Sequence, residues 1–363
     1  MLLGLYVYAQ DFDIYVSDAG NFNNPPWKIF KYDSSGGNAV TFIDTMLSWP
    51  QDILFLEDSD LVLISNLNTN RITKYDSDSG NYLGIFANGM SGPTRMKIGP
   101  DTLLYVLQWS GNGRVKRYRL DGSFHSNFTS IGVNQSIGMD WDQKGNLYVS
   151  SFNGKNIRKF GPTGADSGLF VNSNLQGPTN IWFDDNGELL VLDWSGTTVK
   201  RFDTNGVFVS NYLTGLRQSE GVDFMPTGNI LIGNGWTKAV KMYDSSGSFI
   251  RDLVPSGRGG LLKPNAVRIR LKSNLTSVQK LNPIIEELSI HPTYGNLFFI
   301  ETQNWTHSNE LNVVDINGRV VFETRVNKSI TIWEANNEEN GMYFINYFNS
   351  KGQKYSKKVM VIK

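Results

Sequence analysis

One phrase recurs six times along this chain. A turn leads into a short apolar strand closed by a polar residue, and a basic–aromatic strand and a Gly turn follow. It reads GNLYVSSFNGKNIRKFGPTG from Gly145, GELLVLDWSGTTVKRFDTNG from Gly187 and GNILIGNGWTKAVKMYDSSG from Gly228, with earlier copies from Asp13, Asp60 and Thr102. The closing polar residue falls at Asn66, Gln108, Ser151, Asp193 and Asn234, a spacing of about 42 residues. Several short strands in a unit of that length are the signature of a β-propeller blade, which buries its faces only when neighbours stack on it.

Two further strands complete each unit. Upstream lies a Pro-x-x-apolar segment: WPQDILFL at Trp49, GPTRMKI at Gly92, GPTNIWF at Gly177 and KPNAVRI at Lys263. QSIGMDW at Gln135 and SEGVDF at Ser219 are proline-free versions. Downstream come NYLGIF, SFHSNF, SGLFV, GVFVSNY and SFIRDL. Their apolar–polar alternation is that of half-buried sheet. The first phrase has no upstream strand, whereas Lys263–Ser273 has no phrase after it. Joining the two predicts six four-stranded blades over 11–273, with closure by 263–273 removing the exposed edge at the seam. RITKYDSDSG, NIRKFGPTG and TVKRFDTNG give the segment a resemblance to NHL repeats over roughly Asp11 to Ser273.

The period stops after Ser273. Residues 274–287 read as a polar linker, and 288–363 as a separate module with strands LFFIE, ELNVVDINGRVVFETRV, SITIWEA, MYFINYFN and KYSKKVMVIK. Asn317-Gly318 is a strong hairpin signal. The chain is therefore expected to be all-β: a six-bladed β-propeller followed by a small C-terminal immunoglobulin-like β-sandwich. The module also resembles the sorting domain of type IX secretion cargo. Asp315, Gly318, Val320 and Val321, then Gly341-Met342-Tyr343, then the Lys357-Lys358 ending carry that resemblance. The opening departs from the family's Tyr-Pro-Asn-Pro, reading His291-Pro292-Thr293-Tyr294. The resemblance implies handling by the type IX secretion machinery, with passage through the periplasm and outer membrane of a Gram-negative bacterium. The destination is then secretion or the cell surface.

At the other end, LLGLYVY followed by Ala9-Gln10 reads as the remnant of a secretory signal peptide over 1–10. Elsewhere no apolar stretch is long enough to span a bilayer. Lys+Arg and Asp+Glu both number 34, so no net field draws the chain to nucleic acid. Cysteine is absent, which excludes thiol catalysis and Cys-ligated zinc. His125, His291 and His307 are too scattered for an acid–base or metal set, and there is no nucleophile elbow or phosphate loop.

Propellers bind ligands at the channel mouth, one position per blade. The residues after the proline position are Gln51, Thr94, Ile137, Thr179, Glu220 and Asn265; Asp52 and Arg95 belong to the next row and are candidate ligand contacts. Glu220 and Asn265 lie on blades adjoining across the closure, and their oxygens would suit a hard cation such as Ca²⁺. Pro264-Asn265-Ala266 and Ser219-Glu220-Gly221 resemble segments of the metal site in gluconolactonase-like propellers, although that family's Glu-Gly-Pro segment is missing. That resemblance implies a divalent-metal-dependent hydrolase or lactonase. The plain reading pairs Glu220 with Arg95 or Arg217 on a solvated rim.

A second row follows the polar closers. Gln108-Trp109-Ser110-Gly111 and Asp193-Trp194-Ser195-Gly196 are nearly one phrase, and Trp236 follows Asn234-Gly235. A polar residue beside Trp suits a ligand with an apolar face and a hydroxyl rim, such as a sugar; the competing reading wedges each aromatic between blades. The sequence thus favours a non-enzymatic, cofactor-free binder of a surface protein or glycan through Trp109, Asp193, Trp194 and Trp236, with the metal-dependent hydrolase as the alternative.

Overall fold

The computed structural model describes residues 11–272, 288–291, 294–302, 310–326, 330–348 and 354–362. The chain divides into two compact units, Met1–Asn274 and Leu275–Lys363. The signal-peptide segment 1–10, the linker 274–287 and Ser273 lie outside the described residues.

The first unit is a six-bladed β-propeller of four-stranded antiparallel sheets. Blade 1 runs from the channel outward as Pro264–Leu271, Phe12–Asp18, Lys28–Asp33 and Val40–Ile43, so both ends of the propeller segment share one sheet. Blades 2 to 6 each run continuously, with inner strands Pro50–Leu56, Pro93–Ile98, Ser136–Trp141, Pro178–Phe183 and Ser219–Phe224. The second strands, from Leu61–Asn66 in blade 2 to Ile230–Asn234 in blade 6, are buried along almost their whole length. Each blade interface has its own apolar cluster. Blade 6 meets blade 1, for example, through Leu231 and Val240 against Ile14 and Phe30. Blades 2 and 3 meet through Leu63 and Ile72 against Met96 and Val106. The apolar contact that drives blade stacking thus runs around the whole ring.

Polar groups then fix the register between blades. Ser65 Oγ donates to the Thr94 carbonyl (2.6 Å), and Thr94 Oγ1 donates to that of Ser136 (2.7 Å). Ser150 Oγ and Thr179 Oγ1 repeat the relay onto Thr179 and Ser219 (2.7 and 3.0 Å). Thr94 and Thr179, placed on the channel by the sequence pattern, are therefore inter-blade ties. Near the start of each inner strand the pairing with the second strand shifts by a bulge, as between Pro50 and Asp52 or Ser219 and Val222. Such a bulge breaks the strict alternation and re-aims the residues that follow.

The polar closers of the second strands have one shared task. Asn66 Oδ1 accepts the Ser48 N–H (2.8 Å), Gln108 Oε1 that of Ser91 (2.8 Å) and Asn234 Oδ1 that of Arg217 (3.0 Å). Each clamps the loop that delivers the chain to its own blade's inner strand. Ser151 reverses the polarity and donates to the Asn134 carbonyl (2.8 Å). In blade 1 the same position is Asp18, whose carboxylate takes the N–H groups of Leu262 and Lys263 (both 2.8 Å) from the far end of the propeller.

The second unit pairs a three-stranded sheet (Leu288–His291, Leu297–Thr302, Ile330–Glu334) with a five-stranded one built on Glu310–Asp315, Val320–Arg325, Gly341–Phe348 and Lys354–Val361. Phe298, Ile300 and Trp333 of one sheet share a core with Leu311, Val313, Ile345 and Tyr347 of the other, as in a sandwich. The hairpin turns where expected. Asp315 Oδ1 accepts the Asn317 and Arg319 N–H groups (2.9 and 3.0 Å), and Gly318 sits at φ 80, where a side chain would be strained.

Asp18→Ala should therefore cost more than the loss of a closer with a single loop bond, such as Ser151. It strips the acceptor from Leu262 and Lys263 and also from Gly20 (2.8 Å). We expect a loss of about 3 kcal/mol against about 1 kcal/mol for Ser151→Ala, measured on the propeller transition in urea.

Candidate ligand-binding site

The channel has two mouths and a polar plug between them. Arg95, only 3% exposed, reaches across from blade 3. Its Nη1 donates to Asp52 Oδ1 and to the Gln51 carbonyl, and its Nη2 to Glu220 Oε1, all at 3.1 Å. Arg268 Nη2 meets the same Asp52 oxygen at 3.0 Å, and Asp52 Oδ2 accepts the Met96 N–H at 2.8 Å. The Glu220–Arg95 pair read from sequence is thus present but buried, not on a solvated rim: Glu220 is 4% exposed. Gln51, with its amide set to suit its neighbours, donates to Glu220 Oε1 (3.2 Å) and accepts from Asn265 Nδ2 (3.1 Å) and Trp49 Nε1 (2.7 Å).

Above the plug lies an aromatic bowl of about 280 Å³. Five blades each give it one ring: Phe22, Trp49, Trp109, Phe152 and Trp194. The sixth contributes the Glu220 carboxylate to its floor, alongside Gln51, Asn265 and Ile137. Phe22 lies 5.3 Å from Trp49 and 6.3 Å from Trp194 between ring centroids, and Trp109 lies 5.7 Å from Phe152. Trp49 occupies a left-handed backbone turn (φ 51) just before Pro50, a conformation a bulky residue rarely adopts.

The sequence-derived candidates separate here. Trp109 and Trp194 line the bowl. Asp193 does not; its oxygens hold the Gln176 and Gly177 N–H groups (3.0 and 2.7 Å) and Lys200 Nζ (2.9 Å). Trp236 is 58% exposed outside the bowl and stacks on Arg217, whose Cζ is 3.9 Å from its ring centroid. Asp52 and Arg95 sit in the plug, and Arg95 also lines the opposite mouth. Sequence reasoning missed Phe22 and Trp49. The one signal for Phe22 was the stretch AGNFNNPPW between the second and third strands of blade 1, which is longer than the equivalent connection in every other blade.

The opposite mouth is larger, about 760 Å³, and sets Lys97, Asp223, Arg268 and Arg270 among apolar residues such as Phe55, Trp182 and Phe224. Its cations are paired: Lys97 with Asp140, Arg270 with Glu57 (2.8 Å) and Asp78 (2.9 Å).

Burial pushes the Glu220 carboxyl up to about 7; the Arg95 guanidinium pulls it down and the Asp52 carboxylate pushes it further up. A metal bound by Glu220 and Asn265 is not supported by this donor set. Glu220 Oε1 faces only hydrogen-bond donors, from Arg95, Asn265 Nδ2 (3.4 Å) and Gln51, where Ca²⁺ wants six or more oxygens. Among the described residues no three His, Cys, Asp or Glu side chains gather closely enough to hold a metal.

Comparison with known proteins agrees with this architecture. Residues 282–363 match the family described as the secretion system C-terminal sorting domain. The second unit is a sorting domain, and the protein is secreted or held at the cell surface. No curated protein matches the sequence. Among solved structures, a chain of a nidogen/laminin complex is 15% identical, with a TM-score of 0.58 over 72% of this chain and 98% of that one. A protein of unknown function from Bacteroides caccae is 16% identical, with a TM-score of 0.57 over 72% and 100%. A putative gluconolactonase is 17% identical, with a TM-score of 0.50 over 58% and 80%. At these identities the likeness is one of fold. No described helix is long and apolar enough to cross a membrane.

Two outcomes follow. Deleting residues 354–363 removes strand Lys354–Val361, which pairs along the central strand Gly341–Phe348 of the sorting sheet; the protein should then accumulate in the periplasm, as read by immunoblot of cell fractions. Glu220 makes the second testable contribution. Its folded carboxyl titrates above the unfolded value of 4.5, so its contribution to stability is greatest below about 4.5 and is lost as pH rises through about 7. The stability difference between wild type and Glu220→Gln should change by up to about 3 kcal/mol over that window and stay flat outside it, measured by urea denaturation at stepped pH.

Proposed function

We propose that this exported propeller is a recognition module that takes a ligand into the aromatic bowl. The observation that carries the reading is the convergence of one ring from each of five blades on a single depression whose floor is polar and buried. Rings wedged purely between blades would be covered by their neighbours. Trp49, Trp109, Phe152 and Trp194 are instead partly exposed and line open space. Such rings bring large apolar area at little entropic cost, as at other binding surfaces. The sorting domain supports a setting outside the cell, where a surface protein, a glycan or a small molecule would be met.

The alternative, a metal-dependent lactonase or hydrolase at Glu220 and Asn265, draws on the fold of its gluconolactonase-like neighbour and on the Pro264-Asn265-Ala266 and Ser219-Glu220-Gly221 segments. It requires a cation to displace Arg95 from Glu220. Calcium loading with elemental analysis separates the two readings: stoichiometric metal lost in Glu220→Gln would favour hydrolysis.

Binding should be tested with arrayed glycans and a panel of small metabolites against the full chain. Trp194→Ala should weaken the recognised compound at least about tenfold, with the melting temperature kept. Trp236→Ala should leave it unchanged. Equal affinity in wild type and Trp194→Ala would remove the bowl as the site.

A further inference from the structure

Three features of the bowl narrow the chemistry of what it accepts, taking the bowl as the ligand site. The first is the fate of the polar closers beside the rings. Gln108, Ser151 and Asp193 precede Trp109, Phe152 and Trp194, and all three spend their polar atoms on loop backbone or neighbouring side chains. The hydroxyl-binding half of a sugar site is consumed by the fold, and only the aromatic half reaches the ligand.

The second is the floor. Glu220 lines the bowl, and three donors converge on its Oε1 while Oε2 accepts no hydrogen bond from any described residue. Arg95 approaches from the side of the opposite mouth, which it lines, and divides its charge between Glu220 and Asp52. Around the plug, the carboxylates Asp52, Glu220 and Asp223 face the guanidinium groups Arg95 and Arg268. With all ionised, the set carries one excess negative charge.

The third is precedent on the same face. Lys263 Nζ lies 5.4 Å from the centroid of Phe22, and Arg217 stacks on Trp236. Aromatic rings here already hold cations.

We propose that the bowl is an aromatic cage for the alkylated ammonium group of a small organic cation, with the five rings surrounding the group and Glu220 Oε2 countering its charge. Ring faces carry the negative end of the quadrupole, so several faces around one onium centre reinforce each other where water is displaced. A quaternary ammonium group has no N–H to satisfy, which matches a wall of rings and Leu67 that offers no hydrogen-bond acceptor side chain above the floor. A volume of about 280 Å³ admits such a head group and no oligosaccharide. Burial favours the Glu220 acid, whereas a bound cation would favour the carboxylate, so binding and titration are coupled. The charged groups facing Glu220 are Arg95 from blade 3 and Asp52 from blade 2, with Arg268 of blade 1 behind Asp52 and Lys263 beside Phe22.

The test is a tryptophan-fluorescence and calorimetric titration of the full chain with choline, with dimethylbutanol (its uncharged carbon isostere) and with methyl glucoside. Choline should bind at least about tenfold more tightly than dimethylbutanol. That preference should collapse in Glu220→Gln, and binding should weaken about tenfold in Trp194→Leu but less in Trp194→Phe. Choline affinity should rise with pH up to about 7 and level off above it in wild type, and stay flat in Glu220→Gln. Melting temperatures check that each variant is folded. Equal affinity for choline and dimethylbutanol overturns the cation inference but leaves the bowl as an apolar ligand site. Saturation by methyl glucoside with choline silent overturns it in favour of a sugar. No response to any of the three, in a chain that still binds another panel compound through Trp194, overturns it as well.

Discussion

The whole arrangement depends on one hydrogen-bonding device, a polar side chain at the end of each second strand that grips the loop leading into the same sheet. Stacked apolar faces bring blades together, but they are non-directional and tolerate sliding. The clamp is directional, and it sits at the channel end of the blade where the site is built. Its blade 1 version, Asp18, applies the grip between segments 244 and 245 residues apart in sequence. The device that shapes an ordinary blade therefore also fastens the ring, on top of the antiparallel pairing of Phe12–Asp18 with Pro264–Leu271.

That division of labour explains the contrast between the two mouths. Clamped loops hold their aromatic neighbours over one mouth at fixed height, while the inner-strand bulges turn Gln51, Glu220 and Asn265 toward the axis. At the other mouth Lys97, Arg268 and Arg270 of the inner strands are each paired with a carboxylate among apolar neighbours. The Asp52–Arg95–Glu220 bridge keeps the two regions apart. A buried ion pair of this sort is costly to form and more costly to break by removing one member. Its value here lies in placing a carboxylate beneath the rings.

The all-β architecture and the six blades were legible in the sequence because they rest on period, turn chemistry and alternation, and the sorting tail through the family resemblance carried by Asp315, Gly318 and Gly341-Met342-Tyr343. The roles of individual polar residues were less legible. Asp193 and Trp194 are adjacent, yet one serves the backbone and the other the bowl, since successive residues at a strand end point in different directions. Thr94 and Thr179 share an alignment column with Glu220 but are short enough to reach a neighbouring blade's carbonyl instead. Phe22 was hidden because it lies on the second-to-third loop that departs furthest from the repeat. Trp49 was visible as a residue before proline, and nothing in a linear pattern says that such a residue overhangs the axis.

The left-handed turn at Trp49 sets two demands against each other. Equivalent turns before the inner strands of blades 3, 4 and 6 are made by Gly92, Gln135 and Gln218 at φ 62, 54 and 55. Glycine is the residue for which this geometry is free of strain. A glycine at position 49 would ease the backbone and open the wall of the bowl in the same stroke. At the equivalent positions the chain uses glycine or glutamine, neither of which would give the bowl a ring. The indole stands there at a conformational cost, so the identity of this residue across natural variants is a gauge of whether the cavity is in use.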